Sequence, residues 1–279
     1  MPNQSKIDIE LHGVPETLLW NLYHRATAAG GNTPSLDDPK AVELVERINY
    51  PFERFGTDQA QAGQWHALRV RCFDDEIRRF LREHPAGTVV ALGEGLETQF
   101  WRVDNGTLTW LTVDLPETVA VRQKLLPDGP RNRTIACSAT DEEWLTHVDA
   151  TNGVLISAQG LLMYFQPAEV DQLIAMCGQQ LPGSGLLFDT VPEWMISRRD
   201  AWLDQEKDGT GYRPPPWVWG MTRAERSRLA GLPEIARLRN LRQPRGRGLA
   251  FGVILPVLQR IPFLRYRLPS FPIMLARLR

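Results

Sequence analysis

Apolar residues recur every three or four positions through most of the first 85 residues, which is the spacing of helices with one buried face. Residues 15–29 place Leu18, Leu19 and Leu22 together, and residues 58–83 continue the spacing over a longer helix. Between them, Asp38 followed by proline is typical of the first turn of a helix, which we expect to reach residue 48. The pattern predicts a helical N-terminal cap over residues 1–85.

From residue 88 the pattern changes to short apolar runs that alternate with helical segments. The predicted strands cover residues 88–92, 109–113, 134–137, 153–157 and 185–189, and the predicted helices 116–126, 141–148 and 167–181. Such alternation is typical of a parallel sheet with right-handed crossovers, so the fold class is α/β. The tail predicts a strand, a helix interrupted by prolines and a last strand, at residues 234–242, 251–266 and 271–278.

The chain has no internal repeat and no linker-like change of composition, so we expect one domain over residues 1–279. We divide it into the cap (1–85), a ligand-binding core (86–189), an inserted lid segment (190–222) and the C-terminal strand–helix–strand (223–279). The lid segment is rich in proline and aromatic residues.

Composition is that of a globular protein, with 43% apolar and 23% charged residues and a net charge of −1. It excludes collagen-like, coiled-coil and largely disordered chains, and the net charge does not favour nucleic acid. The charge is uneven, however, because residues 223–279 hold thirteen Arg and two Glu and carry +11. That segment could meet an acidic partner, such as a carrier protein or a phospholipid surface. The commoner case is a solvated face whose Arg stems cover apolar surface.

Three widely spaced cysteines, Cys72, Cys137 and Cys177, have no metal-binding spacing. They predict reduced thiols in a cytoplasmic protein without a metal site. Residues 1–13 lack the apolar core of a signal peptide. The most apolar stretch, residues 248–264, contains Arg260 and two prolines, so we expect no transmembrane segment.

Two glycines follow the first predicted strand, in the sequence Gly93-Glu94-Gly95. Glycines at this place let the backbone approach a ligand without a Cβ clash, at the strand ends where open parallel sheets bind ligands. Gln99 stands where a dinucleotide fingerprint has its third glycine, so nothing favours a pyrophosphate. An NAD-dependent enzyme is therefore a weak alternative.

The second predicted strand ends in Asp114, nineteen residues after Gly95. A carboxylate at that place can accept hydrogen bonds from both ribose hydroxyls of a nucleoside. The alternative is a helix cap, since Pro116 follows two residues later. The sequence has two glycines and an acid at the strand ends but lacks the third glycine of a pyrophosphate-binding motif. This combination points to a nucleoside ligand such as S-adenosylmethionine.

Five segments resemble one family in order and spacing over roughly residues 9–190. The first is the opening, with LHGVPETLL from residue 11, YHRA from residue 23 and DPKA from residue 38. The other four are ALGEGLETQFWR from residue 91, VDLPE from residue 113 with Arg122, SATDEEW from residue 138 and QGLLMY from residue 159. These segments resemble the leucine carboxyl methyltransferase superfamily, and within it the bacterial tetracenomycin-type polyketide O-methyltransferases. The resemblance implies a class I S-adenosylmethionine-dependent methyltransferase with a Rossmann-like sheet and an antiparallel last strand.

The resemblance also implies roles for the residues that match its motifs. Gly93 and Gly95 would lie against the methionine part of the cofactor, Asp114 would hold the ribose, and Ser138 and Ala139 would lie at the adenine.

Two arginines match cofactor-binding positions of the family, Arg69 and, from the first helix, Arg25. A guanidinium can hold the carboxylate of the cofactor with two parallel hydrogen bonds. Without the resemblance, Arg69 would be taken for a solvated residue on an arginine-rich helix.

The chain departs from the family at two acidic positions. Glu97 replaces the usual Asp, and Gln159 replaces the Glu that is thought to contact the methionyl amine. Gln159 keeps an acceptor oxygen but loses the charge, so we expect weaker cofactor binding unless Glu94 supplies the acid.

Methyl transfer needs alignment and the exclusion of water more than acid or base catalysis. No histidine lies at a predicted strand end, and His12, His24, His66, His84 and His147 are expected to be surface or packing residues. We assign no catalytic residue, and the absence of a base favours a carboxyl acceptor slightly over a phenol.

The acceptor pocket is expected between the cap and the lid segment. Aromatic side chains suit a flat polyketide, and the candidate lining residues are Tyr164, Tyr212, Trp217 and Trp219. These rings could equally plug the lid against the core. The competing hypotheses are a cofactor-binding member without catalysis that binds a partner, and a methyltransferase acting on a protein C-terminus.

Overall fold

The computed structural model describes residues 6–30, 34–56, 60–203, 214–261 and 264–279. Its centre is a seven-stranded sheet, with β1 at Thr88–Leu92, β2 at Thr109–Asp114, β3 at Asn132–Ala136, β4 at Val154–Ala158, β5 at Gly185–Asp189, β6 at Ile235–Asn240 and β7 at Ile273–Leu278. The strand order is β6-β7-β5-β4-β1-β2-β3. β7 is antiparallel to both of its neighbours, and the other pairs are parallel. The predicted α/β class with an antiparallel last strand is confirmed.

The sheet is covered on both faces, which explains why its central strands read as continuous apolar runs. Every residue of β1, β4 and β5 is buried. Val90 and Leu92 of β1 pack into one apolar cluster with α6 (Pro167–Gln180), while Val89 and Ala91 pack into another with α3 (Ala60–Glu83).

α1 (Thr17–Ala29) lies over the carboxyl end of the sheet. It packs against both α2 (Pro39–Arg47) and α3. Leu19, Leu22 and Leu44 are fully buried between them. Asp38 caps α2 as predicted, since its side chain accepts a hydrogen bond from the backbone N–H of Ala41 at 3.1 Å.

The remaining helices are shorter. They are α4 (Gln99–Val103), α5 (Pro116–Leu125), α7 (Glu193–Leu203), α8 (Arg223–Ala230) and α9 (Leu255–Leu258). The pattern missed α7 because its apolar residues come in two runs of three and do not form one face. It missed α8 because four of its eight residues are charged. α8 is fixed instead by its N-cap, where the hydroxyl of Thr222 accepts from the N–H of Glu225 at 2.9 Å.

Two predicted helices are wrong in detail. Residues 141–148 form only a 3-10 turn at Glu143–His147. The tail helix is broken into a π turn at Ala250–Ile254, α9, and a 3-10 turn at Arg265–Arg267, because proline cannot donate the hydrogen bonds that would continue it. The division into cap, core, lid and tail stays a prediction.

The described parts of the chain were searched for membrane-spanning helices and for groups of metal-binding side chains. Within those ranges, none of the helices combines the length and apolar character that a membrane span requires. Nor do three or more His, Cys, Asp or Glu residues there form a group that could hold a metal ion.

Candidate active site

A cleft of about 310 Å³ opens where β1, β2 and β4 end beneath α1. Its walls come from segments that lie far apart in the sequence and include every residue that was expected to bind the cofactor. Those residues are Arg25, Arg69, Gly93, Gly95, Asp114, Ser138, Ala139 and Gln159, and Tyr164 lines the cleft beside them.

The turn after β1 requires its glycines. Gly93 and Gly95 have φ angles of +60° and +56°, in the left-handed region. A Cβ on Gly93 would lie 2.8 Å from Cδ1 of Leu161, and one on Gly95 would lie 2.9 Å from Cβ of Leu18. The turn therefore brings bare backbone to the cleft in a shape that other residues cannot adopt.

Arg122 holds this turn from below. Its Nη1 donates to the carbonyl oxygens of Gly95 at 2.7 Å and Glu97 at 3.0 Å, and its Nη2 lies 3.2 Å from the carboxylate of Glu94. The side chain is fully buried on α5. The sequence analysis named Arg122 only as part of a motif. The one sequence feature that could have indicated its role is an arginine on a helix that packs against the core.

Asp114 faces the glycine turn from the end of β2. Its two carboxylate oxygens accept from the backbone N–H of Gly95 at 2.7 Å and of Leu115 at 2.8 Å. Burial raises the pKa of Asp114, and these two N–H groups partly oppose the shift. The N-cap of α5 is Leu115, so Asp114 does not cap that helix. The hydroxyl of Thr118 also hydrogen-bonds this carboxylate, so about one of its four acceptor positions stays open to a ligand.

Arg69 is not a solvated residue but is only 4% exposed, at the other end of the cleft. Its guanidinium donates to Oδ1 of Asn21 at 2.9 Å and lies 3.4 Å from Oδ2 of Asp189. Asp189 also accepts from the N–H of Gly160 at 2.6 Å. Asn21 and Asp189 were missed because their partners come from distant segments.

The guanidinium of Arg25 pairs with groups of the protein itself. Its Nη1 lies 3.0 Å from Asp38 and 2.6 Å from Glu97, and its Nη2 donates to the carbonyl oxygen of Leu96 at 2.7 Å. Arg102 bridges the same two acids at 2.8 Å each. Burial raises the pKa of Glu97, but Arg102 and Arg25 outweigh burial and lower it to about 2.

Gln159 reaches Glu97, not Glu94. Its Nε2 donates to Oε2 of Glu97 at 3.1 Å, and its Oε1 is buried without a hydrogen-bond partner. Glu94 is held elsewhere, because its Oε2 accepts from Trp110 at 3.0 Å and from Thr112. Glu94 also lines the cleft, and its Oε1 is buried without a hydrogen-bond partner, so its role as the missing acid stays a prediction. The acid that contacts Gln159 is Glu97.

The predicted aromatic wall is only partly at the cleft. Tyr164 lines it, whereas Trp217 and Trp219 do not. Trp219 is buried against Phe188, and its indole N–H donates to Glu225 at 2.9 Å, so packing in the core uses this ring. Tyr212 lies outside the described residues.

The buried histidines belong to the packing of the cap. His24 of α1 and His66 of α3 stack with ring centroids 4.6 Å apart. Burial and the neighbouring Arg69 lower the pKa of His24 to about 3. Neither ring lines the cleft, as the sequence predicts for packing residues.

Residues 19–178 match the family model of leucine carboxyl methyltransferases. The chain belongs to the leucine carboxyl methyltransferase family. It is an S-adenosylmethionine-dependent methyltransferase, as the resemblance of its motifs implied.

Relatives narrow the comparison further. The chain is 34% identical over 225 residues to the tetracenomycin polyketide synthesis O-methyltransferase TcmP of Streptomyces glaucescens, covering 80% of this chain and 82% of that protein. It is 27% identical to the S-adenosyl-L-methionine-dependent methyltransferase dpfgK of Gibberella zeae, over 64% of this chain and 65% of that one.

A solved structure supports the fold alone. The crystal structure of a DUF574 family protein from Streptomyces avermitilis superposes with a TM-score of 0.56 at 12% identity, over 92% of this chain and 96% of that one.

Proposed function

We propose that the protein transfers the methyl group of S-adenosylmethionine to an oxygen of a small-molecule natural product, with a carboxylate as the preferred acceptor. The observation that carries the proposal is the cleft, which has a ribose-type acceptor at Asp114, a buried guanidinium at Arg69 and a glycine turn between them. The similarity to TcmP favours an O-methyltransferase and a polyketide-like acceptor.

The residues of the cleft fit the cofactor chemically. Asp114 has an acceptor position left for a ribose hydroxyl, and Oε1 of Gln159 is an unpartnered acceptor suited to an ammonium group. We place the adenine beside Ser138 and Ala139 and the amino-acid end towards Arg69 and Gln159. When bound, the cofactor supplies an electrophilic methyl group on a sulfonium, and the thioether that leaves is neutral.

The chain aligns the acceptor and excludes water, and the described lining of the cleft holds no histidine that could act as a base. A carboxylate is already ionised at neutral pH, whereas a phenol has a pKa of about 10. The lining thus supports an acceptor that needs no deprotonation.

A second candidate is a member that binds the cofactor without catalysis, suggested by the lost charge at Gln159. The position of Glu97 speaks against it, because its carboxylate lies 3.1 Å from the amide nitrogen of Gln159. An acid is therefore present beside the position that lost its charge, and Glu97 would be the carboxylate that faces the ammonium group of the cofactor.

The test is methyl transfer from labelled S-adenosylmethionine to paired acceptors that differ only in a carboxyl or a phenol group. We expect turnover of the carboxylic acid at a rate that stays flat between pH 6 and 9, since its group is ionised throughout. Turnover of the phenol alone, rising towards pH 10, would overturn the carboxyl preference. Binding of S-adenosylhomocysteine with no turnover of either acceptor would favour the second candidate.

The buried thiols of Cys72, Cys137 and Cys177 support the further proposal that the protein works in a reducing compartment such as the cytoplasm. Whether the acceptor is free or attached to a carrier protein stays a prediction.

A further inference from the structure

The connection between β6 and β7 carries an exposed apolar surface that the methyltransferase site does not use. The described residues include seven exposed large apolar side chains, and four of them lie in one nine-residue stretch of this connection, 249–257. These four are the most exposed of the seven. They are Leu249 at 69%, Val253 at 52%, Val257 at 50% and Ile254 at 47%. Isolated exposed apolar residues are ordinary, but a contiguous set marks an interaction surface.

The same connection is strongly cationic. Six arginines and no acidic residue lie at positions 241–272. Arg242, Arg245, Arg260 and Arg267 are exposed, and within the described ranges none of their side chains pairs with a carboxylate. Burial is the main cause that lowers the pKa of Arg265; Tyr266 opposes the shift, and repulsion from Arg242 and Arg226 adds to it.

The connection is anchored on one side and open on the other. The ring of Phe251 packs edge-on against Trp65 of α3 with centroids 5.6 Å apart, and Gly246 lies against Leu68. α3 thus contacts one side of the connection, while Val253, Ile254 and Val257 are exposed.

This surface lies at the same edge of the sheet as the cleft. β6 runs parallel to β5, since both are antiparallel to β7, so the connection leaves and re-enters the sheet at the carboxyl edge. Ile273, the first residue of β7, pairs with Asp189, whose carboxylate contacts Arg69 in the cleft wall.

We propose that this surface, which we define as Leu249, Val253, Ile254, Val257 and the four exposed arginines, docks on an anionic phospholipid bilayer. Aliphatic residues beside arginines are what an interfacial segment presents to acyl chains and headgroups. Protein interfaces favour aromatic anchors and complementary pockets, and the exposed set here is wholly aliphatic. Docking would bring the carboxyl edge, and the cleft with it, close to amphipathic acceptors in the bilayer.

The test is sedimentation of the full-length protein with vesicles of phosphatidylcholine, with or without 30% phosphatidylglycerol. We expect binding to the anionic vesicles and much weaker binding to the neutral ones, with most of it lost in high salt. Each arginine near the surface contributes roughly a fivefold gain in partitioning. The pair Arg260→Gln and Arg267→Gln should therefore reduce binding at least about tenfold, and so should the pair Val253→Ser and Ile254→Ser.

The matched control is the pair Arg79→Gln and Arg82→Gln, which removes the same charge from the exposed far end of α3. It should bind vesicles like the unchanged protein. Equal loss in the control would overturn the proposal, since binding would then follow net charge alone. So would a lack of binding to anionic vesicles.

Self-association through the same surface is the other outcome to separate. If sedimentation velocity without lipid shows a dimer that Val253→Ser with Ile254→Ser makes monomeric, the surface is an interface between two copies and the membrane proposal fails. Binding of S-adenosylhomocysteine, measured on every variant, should not change. The failure of this proposal is thereby distinct from a failure of the proposed function.

Discussion

The two ends of the cleft are held in place by different kinds of interaction. At the end formed by β1 and β2, the carboxylate of Asp114 accepts hydrogen bonds from the backbone of the glycine turn and of the next residue. All these residues belong to one short segment of the chain, from the end of β1 to the end of β2. At the cap end, Arg25 and Arg69 are held by acids and amides from four separate segments. The first end depends on backbone conformation, and the second depends on buried charge. The two should therefore fail in different ways when they are changed.

The largest effect is expected from Arg25→Ala at the cap end. Removing one partner of a buried ion pair leaves its acids uncompensated and costs about 3–5 kcal/mol of unfolding free energy. The control is Arg47→Ala, because Arg47 pairs with Glu43 at 3.2 Å on the surface, where a pair contributes at most about 1 kcal/mol. Urea unfolding measures both, and a similar loss in the two variants would contradict the account.

The glycine end should respond in ligand binding at least as strongly as in stability. Gly93→Ala forces a strained backbone, costing about 1–3 kcal/mol, and pushes a Cβ against Leu161 in the cleft. We expect affinity for S-adenosylhomocysteine, measured by calorimetry, to fall at least about tenfold. Gly106→Ala is matched in strain, with φ of +86° and open space for the Cβ, and should keep its affinity. Equal affinities in the two variants would show that the turn does not shape the site.

The sequence predicts the glycine end of the cleft better than the cap end. Gly93, Gly95 and Asp114 are readable because adjacent strand ends fix their roles locally, and the regular alternation of strands and helices gave the sheet. The partners of Arg25 and Arg69, namely Asp38, Glu97, Asn21 and Asp189, are not readable because only the packing of the cap brings them together. Trp219 shows the converse, since composition placed it at the acceptor pocket and packing buried it in the core.

The contact between Gln159 and Glu97 offers a smaller effect. Gln159→Glu would place a second carboxylate about 3.1 Å from that of Glu97, so the pKa of one of them must rise. A raised carboxyl pKa destabilises the folded state as pH increases. The variant should therefore lose no unfolding free energy at low pH and about 1–2 kcal/mol at neutral pH. Gln179→Glu, which adds the same charge at an exposed position of α6, should cost little. An increase in stability of Gln159→Glu at neutral pH would argue against this geometry.

The smallest effect at neutral pH concerns the stacked histidines. His24 has a folded pKa of about 3, below its ordinary value of 6.5, so the unfolded chain binds its proton more readily. The stability it contributes is therefore complete above pH 6.5 and is lost as pH falls from there towards 3, by up to about 1.4 kcal/mol per pH unit.

His24→Phe keeps an aromatic ring in the stack but removes this titration, so its unfolding free energy should fall less steeply between pH 6.5 and 4. His147→Gln, at an exposed position, is the control and should keep the original slope. An unchanged slope in His24→Phe would mean that this ring is not held neutral by burial.

The most direct test of the whole account is calorimetry of two variants with two ligands, S-adenosylhomocysteine and 5′-methylthioadenosine, which lacks the amino-acid group. Asp114→Ala should weaken both ligands at least about tenfold, because each loses a ribose hydrogen bond to a buried carboxylate. Arg69→Gln should weaken only S-adenosylhomocysteine, with Arg79→Gln as the control on the same helix. Unchanged affinity of Asp114→Ala for both ligands, or equal losses for both in Arg69→Gln, would contradict the placement of the cofactor across the cleft.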